Sequence, residues 1–213
     1  MTRTLVIETA TAACSVALIE GSRVVAAAHE VVGRGHAERL VPMIAELPDG
    51  GRTDAILVDC GPGSFTGIRV GIAAARGLAL GWGVPVQGFS SLPLVAARKL
   101  AEDNDGLPIA VVLEGGHGEV FMQTFASFPL RAIGPLESLS PAAARVRAGG
   151  TTLVGDGVRW LGFGDPREAP RGALPVAADI VLLPAELTEL PPRPIYGRAP
   201  DAKPMAPAAS VPA

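Results

Sequence analysis

The sequence is poor in charge and in aromatic rings: of its 213 residues, 18% are charged and 4% are Phe, Trp or Tyr. With so few rings, the core has to be built from Ala, Val, Leu and Ile packed around small residues. Hydrophobic residues at 48% supply enough of these for a folded chain and exclude a disordered one. A basic excess is missing as well. The formal net charge of −3 lacks the positive balance of an autonomous nucleic-acid binder, so any RNA contact has to be shared with another subunit. Cysteine is scarce, and Cys14 and Cys60 have no CxxC spacing, which predicts reduced core thiols. His29, His36 and His117 form no ligand pattern with one another or with Cys or carboxylates, so no metal site is expected. Every apolar run is interrupted by Arg, Gly or Pro before about 18 residues, and no membrane span is predicted. The opening Met1-Thr2-Arg3-Thr4-Leu5-Val6-Ile7-Glu8 enters a strand directly, without the features of a signal peptide, and a cytoplasmic location is expected.

What the chain has in quantity is glycine, 26 residues, and proline, 20 residues. Three short strands at 5–7, 15–19 and 23–28 predict an antiparallel meander. A helix follows at 36–47, with Leu40, Ile44 and Leu47 on one face and Pro42 as a source of a kink. Then come a strand at 55–60, a glycine turn, a helix at 66–82, a strand at 84–88 and a helix at 92–102, with Ser90 or Ser91 as its N-cap. The charged stretch 102–106 marks a boundary. A hairpin at 109–113 and 119–125, a short helix from Ser140-Pro141 and a strand at 151–154 are expected beyond it. The domain expectation is an N-terminal lobe over 1–104, a smaller lobe over 105–199 and a disordered tail over 200–213. The order βββαβαβα is the ribonuclease H-like plan of actin, sugar kinases and Hsp70, an α/β fold of two lobes with mixed sheets. Fold alone does not give function.

The turn Gly61-Pro62-Gly63-Ser64-Phe65-Thr66-Gly67 lies between a strand and a helix, where a phosphate can be cradled. It fails the relevant tests. A P-loop requires Lys and Ser or Thr after its last Gly, but Gly67 is followed by Ile68-Arg69. A dinucleotide fingerprint requires an acidic residue about 20 positions on, and no Asp or Glu occurs between Asp59 and Glu102. Ser64 also lacks the spacing of a nucleophile elbow, and Ser64 or Thr66 reads as an N-cap. On the helix that follows, Gly67, Gly71, Ala74 and Leu78 share one face, with Ile68, Ile72, Ala75 and Ala79 beside it and Arg69 and Arg76 on an edge. A helix this apolar is buried on two sides. The second side is covered either by another helix of this chain or by a partner. Glu8 stands where phosphotransferases of this fold carry an acid, and equally reads as a strand-end carboxylate bonded to the next turn.

These residues resemble the TsaB (YeaZ) family, bacterial proteins of N6-threonylcarbamoyladenosine biosynthesis at tRNA position 37. The resemblance runs through Leu5-Val6-Ile7-Glu8-Thr9, Ala12 to Leu18 and His36-Ala37-Glu38-Arg39-Leu40-Val41-Pro42-Met43-Ile44. It is tightest over Gly61 to Gly71, and it thins in the second half to Gly155-Asp156-Gly157 and Tyr196-Gly197-Arg198. It implies a non-catalytic paralogue of the transferase TsaD, because the His-rich metal motif of TsaD is replaced here by Gly88-Phe89-Ser90-Ser91-Leu92. It implies a heterodimer with TsaD, joined by the ATPase TsaE, with tRNA reached indirectly and a homodimer formed by the isolated chain. The implied contact residues are His36, Leu40, Met43, Ile44, Gly67, Ile68, Gly71, Ile72, Ala75 and Ala79. The positions nearest a nucleotide would be Glu8, Thr9, Gly61, Gly63 and Ser64. The isolated chain is expected to bind no cofactor, ATP or ADP belonging to the interface of the complex. Two departures weaken phosphate chemistry: Glu8 replaces an Asp, and Glu114-Gly115-Gly116 replaces Asp-Ala-Arg. The rival expectations are a glycoprotease-like metallopeptidase, which needs a metal or nucleophile set, and an ATP-dependent kinase of the same fold.

Overall fold

The computed structural model describes residues 2–103, 105–127, 129–163 and 173–198. The tail expected over 200–213 lies outside the described residues. Strands β1 (Arg3–Glu8), β2 (Ala13–Glu20) and β3 (Arg23–Val31) form the antiparallel meander. β4 (Ala55–Asp59) then pairs parallel to β1, and β5 (Val86–Phe89) pairs parallel to β4. The resulting sheet has the order β3-β2-β1-β4-β5, the ribonuclease H-like order that the sequence plan predicts.

Alternation along β1 divides the first core in two. Leu5 and Ile7 face helices α1 (His36–Ala45) and α2 (Phe65–Trp82), with Val16, Leu18, Ile56 and Val58 beside them. Val6, Ala17, Ile19 and Phe89 face the other way and are covered by Leu94, Ala177 and Ile180. The last two come from a 3₁₀ segment, Ala177–Leu182, that returns from late in the chain. The Ala177 amide donates to Ser15 Oγ at 3.0 Å across that return. Pro42 does not break α1, which runs unbroken from His36 to Ala45.

The second sheet has the order β10-β6-β7-β8, with β9 also on β7. Its strands are β6 (Ile109–Gly116), β7 (Glu119–Ala126), β8 (Arg131–Ala132), β9 (Glu137–Leu139) and β10 (Thr152–Val154). One face, with Ile109, Val111, Leu113 and Phe125, packs on Leu92, Val95, Ala96 and Leu100 of α3 (Ser91–Asp103). The other face packs on α4 (Pro141–Ala148) through Ala144 and Ala148. So α3 lies before residue 104 in sequence but packs on the second sheet, while residues 177–182 lie after it and pack on the first. No described helix is long and apolar enough to cross a membrane.

Candidate functional site

Glu8 ends β1 and Asp59 ends β4. The register Ile7↔Val58 between these parallel strands brings the two carboxyls to the same end of the sheet. Both side chains are completely buried. Glu8 Oε1 accepts the Ala10 amide at 2.8 Å, the strand-end bond expected of it. Asp59 Oδ1 accepts the Gly61 amide at 2.6 Å and the Ser91 hydroxyl at 2.9 Å. Glu8 Oε2 and Asp59 Oδ2 have no hydrogen-bond partner. Burial pushes the Glu8 carboxyl well above its usual range, and the charge of Asp59 adds to the rise. Burial likewise pushes Asp59 up to about 7, against the pull of the Gly61 amide and Ser91. A third carboxyl, Asp156, sits in the Gly155-Asp156-Gly157 turn and accepts the Glu114 amide at 3.1 Å; burial raises it too. Each of these shifts favours the protonated form, against which a bound cation would have to act.

Sequence reasoning singled out Glu8 but missed Asp59. The signal was available: an acid closing the apolar run Ile56-Leu57-Val58 on a strand parallel to that of Glu8. Ser90 and Ser91 were expected to cap α3. Instead Ser90 Oγ donates to Gly61 O at 2.8 Å, and Ser91 Oγ serves Asp59 and, at 3.3 Å, Pro62 O. Both hydroxyls tie α3 to the glycine turn.

The turn itself is filled by this chain's own backbone. A Cβ on Gly63 would collide with Ala10 O, one on Gly67 with Thr9 O, and one on Gly71 with Thr9 Oγ1. Several of its donors are engaged as well. The Ser64 amide donates to Ala10 O, Gly67 N to Ser64 Oγ and Ile68 N to Ser64 O. Thr9 Oγ1 donates to Gly67 O at 2.8 Å. Between the two caps offered by the sequence, Ser64 holds the position. Of the five nucleotide-proximal positions, Glu8, Thr9 and Gly61 are buried, Gly63 is half-buried and Ser64 is exposed. The turn is a close-packing device that seats the N-terminus of α2 on the β1–β2 turn.

The ten implied contact residues, His36, Leu40, Met43, Ile44, Gly67, Ile68, Gly71, Ile72, Ala75 and Ala79, are all buried within the lobe. His36 Nε2 donates to Ala13 O at 2.9 Å, so the ring is a core tether. The second apolar side of α2 is covered by α1 of the same chain. A different face remains in water, formed by Thr66, Arg69, Ala73, Arg76, Gly77, Leu80 and Gly81 of α2, with Val41 exposed on α1. Leu80 is 87% exposed. Cβ atoms on Gly77 and Gly81 would meet nothing within 4 Å. Among the described residues no group of three or more His, Cys, Asp or Glu is placed to hold a metal ion.

The profile of the family described as TsaD, tRNA N6-adenosine threonylcarbamoyltransferase, matches residues 26–132. An uncharacterised Mycobacterium tuberculosis protein is 33% identical over 217 residues, covering 95% of this chain and 94% of the relative. The tRNA threonylcarbamoyladenosine biosynthesis protein TsaB of Escherichia coli is 38% identical over 124 residues, 56% of this chain and 53% of that protein. The solved structure of YeaZ from Pseudomonas aeruginosa matches with a TM-score of 0.74 at 29% identity, over 92% of this chain and all of that one, 100%. The fold is the actin-like, ribonuclease H-like one, carried through both sheets.

Proposed function

Because this chain belongs to the TsaB (YeaZ) family, we propose that it serves threonylcarbamoyladenosine biosynthesis as a non-catalytic subunit that docks on TsaD. The observation that carries the docking face is the outer side of α2. Glycine inside a helix costs about 1 kcal/mol relative to alanine, and on the inner side close backbone packing explains that cost. On the outer side Gly77 and Gly81 have no neighbour in this chain, and the exposed Leu80 lies between them. Small residues flanking an exposed leucine suit the close approach of a second helix.

The closely packed glycine turn and the acids beside it, whose burial favours their neutral form, support a lone chain that binds no nucleotide, with ATP or ADP held only where TsaD and TsaE complete the complex. The same face accounts for self-association when TsaD is missing.

The test is binding to TsaD by outer-face variants. Leu80→Glu and Ala73→Glu should weaken the complex at least about tenfold, a loss of roughly 1.4 kcal/mol, with unaltered thermal unfolding of the isolated chain. Reconstituted tRNA modification should fall with binding. Unchanged affinity in both variants would overturn this docking face, and tight binding of ATP and magnesium by the lone chain would overturn the non-catalytic reading.

A further inference from the structure

The last described stretch of the chain, residues 190–198, has contacts in both lobes. It begins on the first lobe as a one-residue strand addition. Gly88 N donates to Leu190 O at 2.6 Å, and Leu190 N donates to Gly88 O at 3.0 Å. Ile195 N then donates to Cys60 O at 2.7 Å, and the Ile195 side chain joins the first core. Arg76 on α2 donates to Pro192 O at 2.7 Å. Arg69 donates to the Tyr196 hydroxyl at 2.9 Å, while its guanidinium lies 3.4 Å from the Phe65 ring centroid. The Tyr196 and Phe65 rings are 5.3 Å apart.

The next two residues cross to the second lobe. Gly197 has φ +67, and a Cβ there would stand 2.5 Å from Phe121 Cε1 on β7 and 3.1 Å from Pro62 Cβ in the glycine turn. Only a glycine fits between those two walls. Arg198 Nη2 donates to His117 Nδ1 at 2.8 Å, and Arg198 Nη1 is 3.8 Å from Glu119 Oε2. His117 and Glu119 flank the turn between β6 and β7, at the other end of β6 from its junction with α3.

We propose that residues 190–198 form a latch that holds the second lobe against the glycine turn of the first. The anchor on the first lobe is extensive: two backbone bonds to β5, one to Cys60, an apolar side chain and two arginine contacts. Among the described residues the grip on the second lobe comes from Gly197 against the Phe121 ring and Arg198 at the turn. A latch of this build opens at its second-lobe end while its base stays in place. The inference concerns the chain alone and does not depend on the TsaD reading.

Hydrogen–deuterium exchange on the full chain tests it, read at residues 113–121 of the second lobe. Tyr196→Ala is the informative variant, because its ring and hydroxyl contact Phe65 and Arg69, both on α2 of the first lobe. Arg198→Ala removes the second-lobe grip directly. Tyr196 is exposed and Arg198 half-buried, and neither belongs to a hydrophobic core, so both variants keep the core intact. The expected result is faster exchange at 113–121 in each variant, by about three- to tenfold, the effect of losing one hydrogen-bonded contact. Acceleration confined to residues 190–198, with 113–121 unchanged in both variants, would overturn the latch.

Discussion

The two sides of α2 carry nearly the same amino acids and do different work. On the inner side, Gly67 and Gly71 let the helix backbone descend onto Thr9, and Ile68, Ile72, Ala75 and Ala79 fill the core. On the outer side, Ala73, Gly77, Leu80 and Gly81 meet no comparable packing. Composition therefore does not separate a glycine needed for internal packing from one with no internal role; only its surroundings do. The same difference decides what a substitution does. Charging the inner side at Gly71 or Ile72 breaks the lobe itself, and so cannot report on docking. Outer-side substitutions can.

The largest effect separating the two sides is expected for Gly67→Ala. Its methyl would fall onto Thr9 O, so the variant should lose about 3 kcal/mol, the upper end of overpacking costs, or fail to fold. Chemical denaturation measures it, and a loss below about 1 kcal/mol would mean that the close approach is soft.

The acids under the inner side give the next effect. The folded-state pKa of Asp59 is raised from 3.8 to about 7, so the folded chain keeps a proton that the unfolded chain releases. This contribution is fully present below the unfolded value and is lost as pH rises through the folded value. Unfolding midpoints of the natural chain should therefore fall between pH 4 and pH 7 relative to Asp59→Asn, whose carboxamide oxygen still accepts from Gly61 and Ser91. Parallel profiles for the two proteins would show that Asp59 ionises in the fold.

Ser64→Ala removes the cap that accepts from Gly67 N at 3.2 Å and should cost about 1 kcal/mol. The smallest effect has the opposite sign. Gly77→Ala should stabilise the isolated chain by about 0.5 to 1 kcal/mol, since a helix prefers alanine and nothing obstructs the methyl. Destabilisation there would show that the outer side is already covered in the isolated chain.

Much of the first lobe was legible because its signals are local. The Gly21-Ser22 turn, the alternation in β1 and β2 and the apolar run of β4 each fix an element from within a few residues. The lack of a P-loop lysine after Gly67 and of an acid between Asp59 and Glu102 was legible for the same reason. The packing partner of α3 was not: its periodicity marks an apolar face without saying which sheet receives it. The latch was also hidden, because proline-dense residues 190–198 have no period to read, and their partners at Cys60, Gly88 and Phe121 lie 76 to 135 positions away in sequence. Apolar patterning on α1 and α2 reports burial and is silent about what does the burying.

The return of residues 177–182 to the first sheet has a consequence for synthesis. A nascent chain that has released only its first half from the ribosome can pair β1 to β5 and seat α1 and α2. The reverse face of that sheet, with Val6, Ala17 and Ile19, still lacks Ala177 and Ile180. Those residues emerge after the entire second sheet has been made. The first sheet is thus completed by residues made after the second one, and a product stalled before them leaves a hydrophobic sheet face for chaperones to hold.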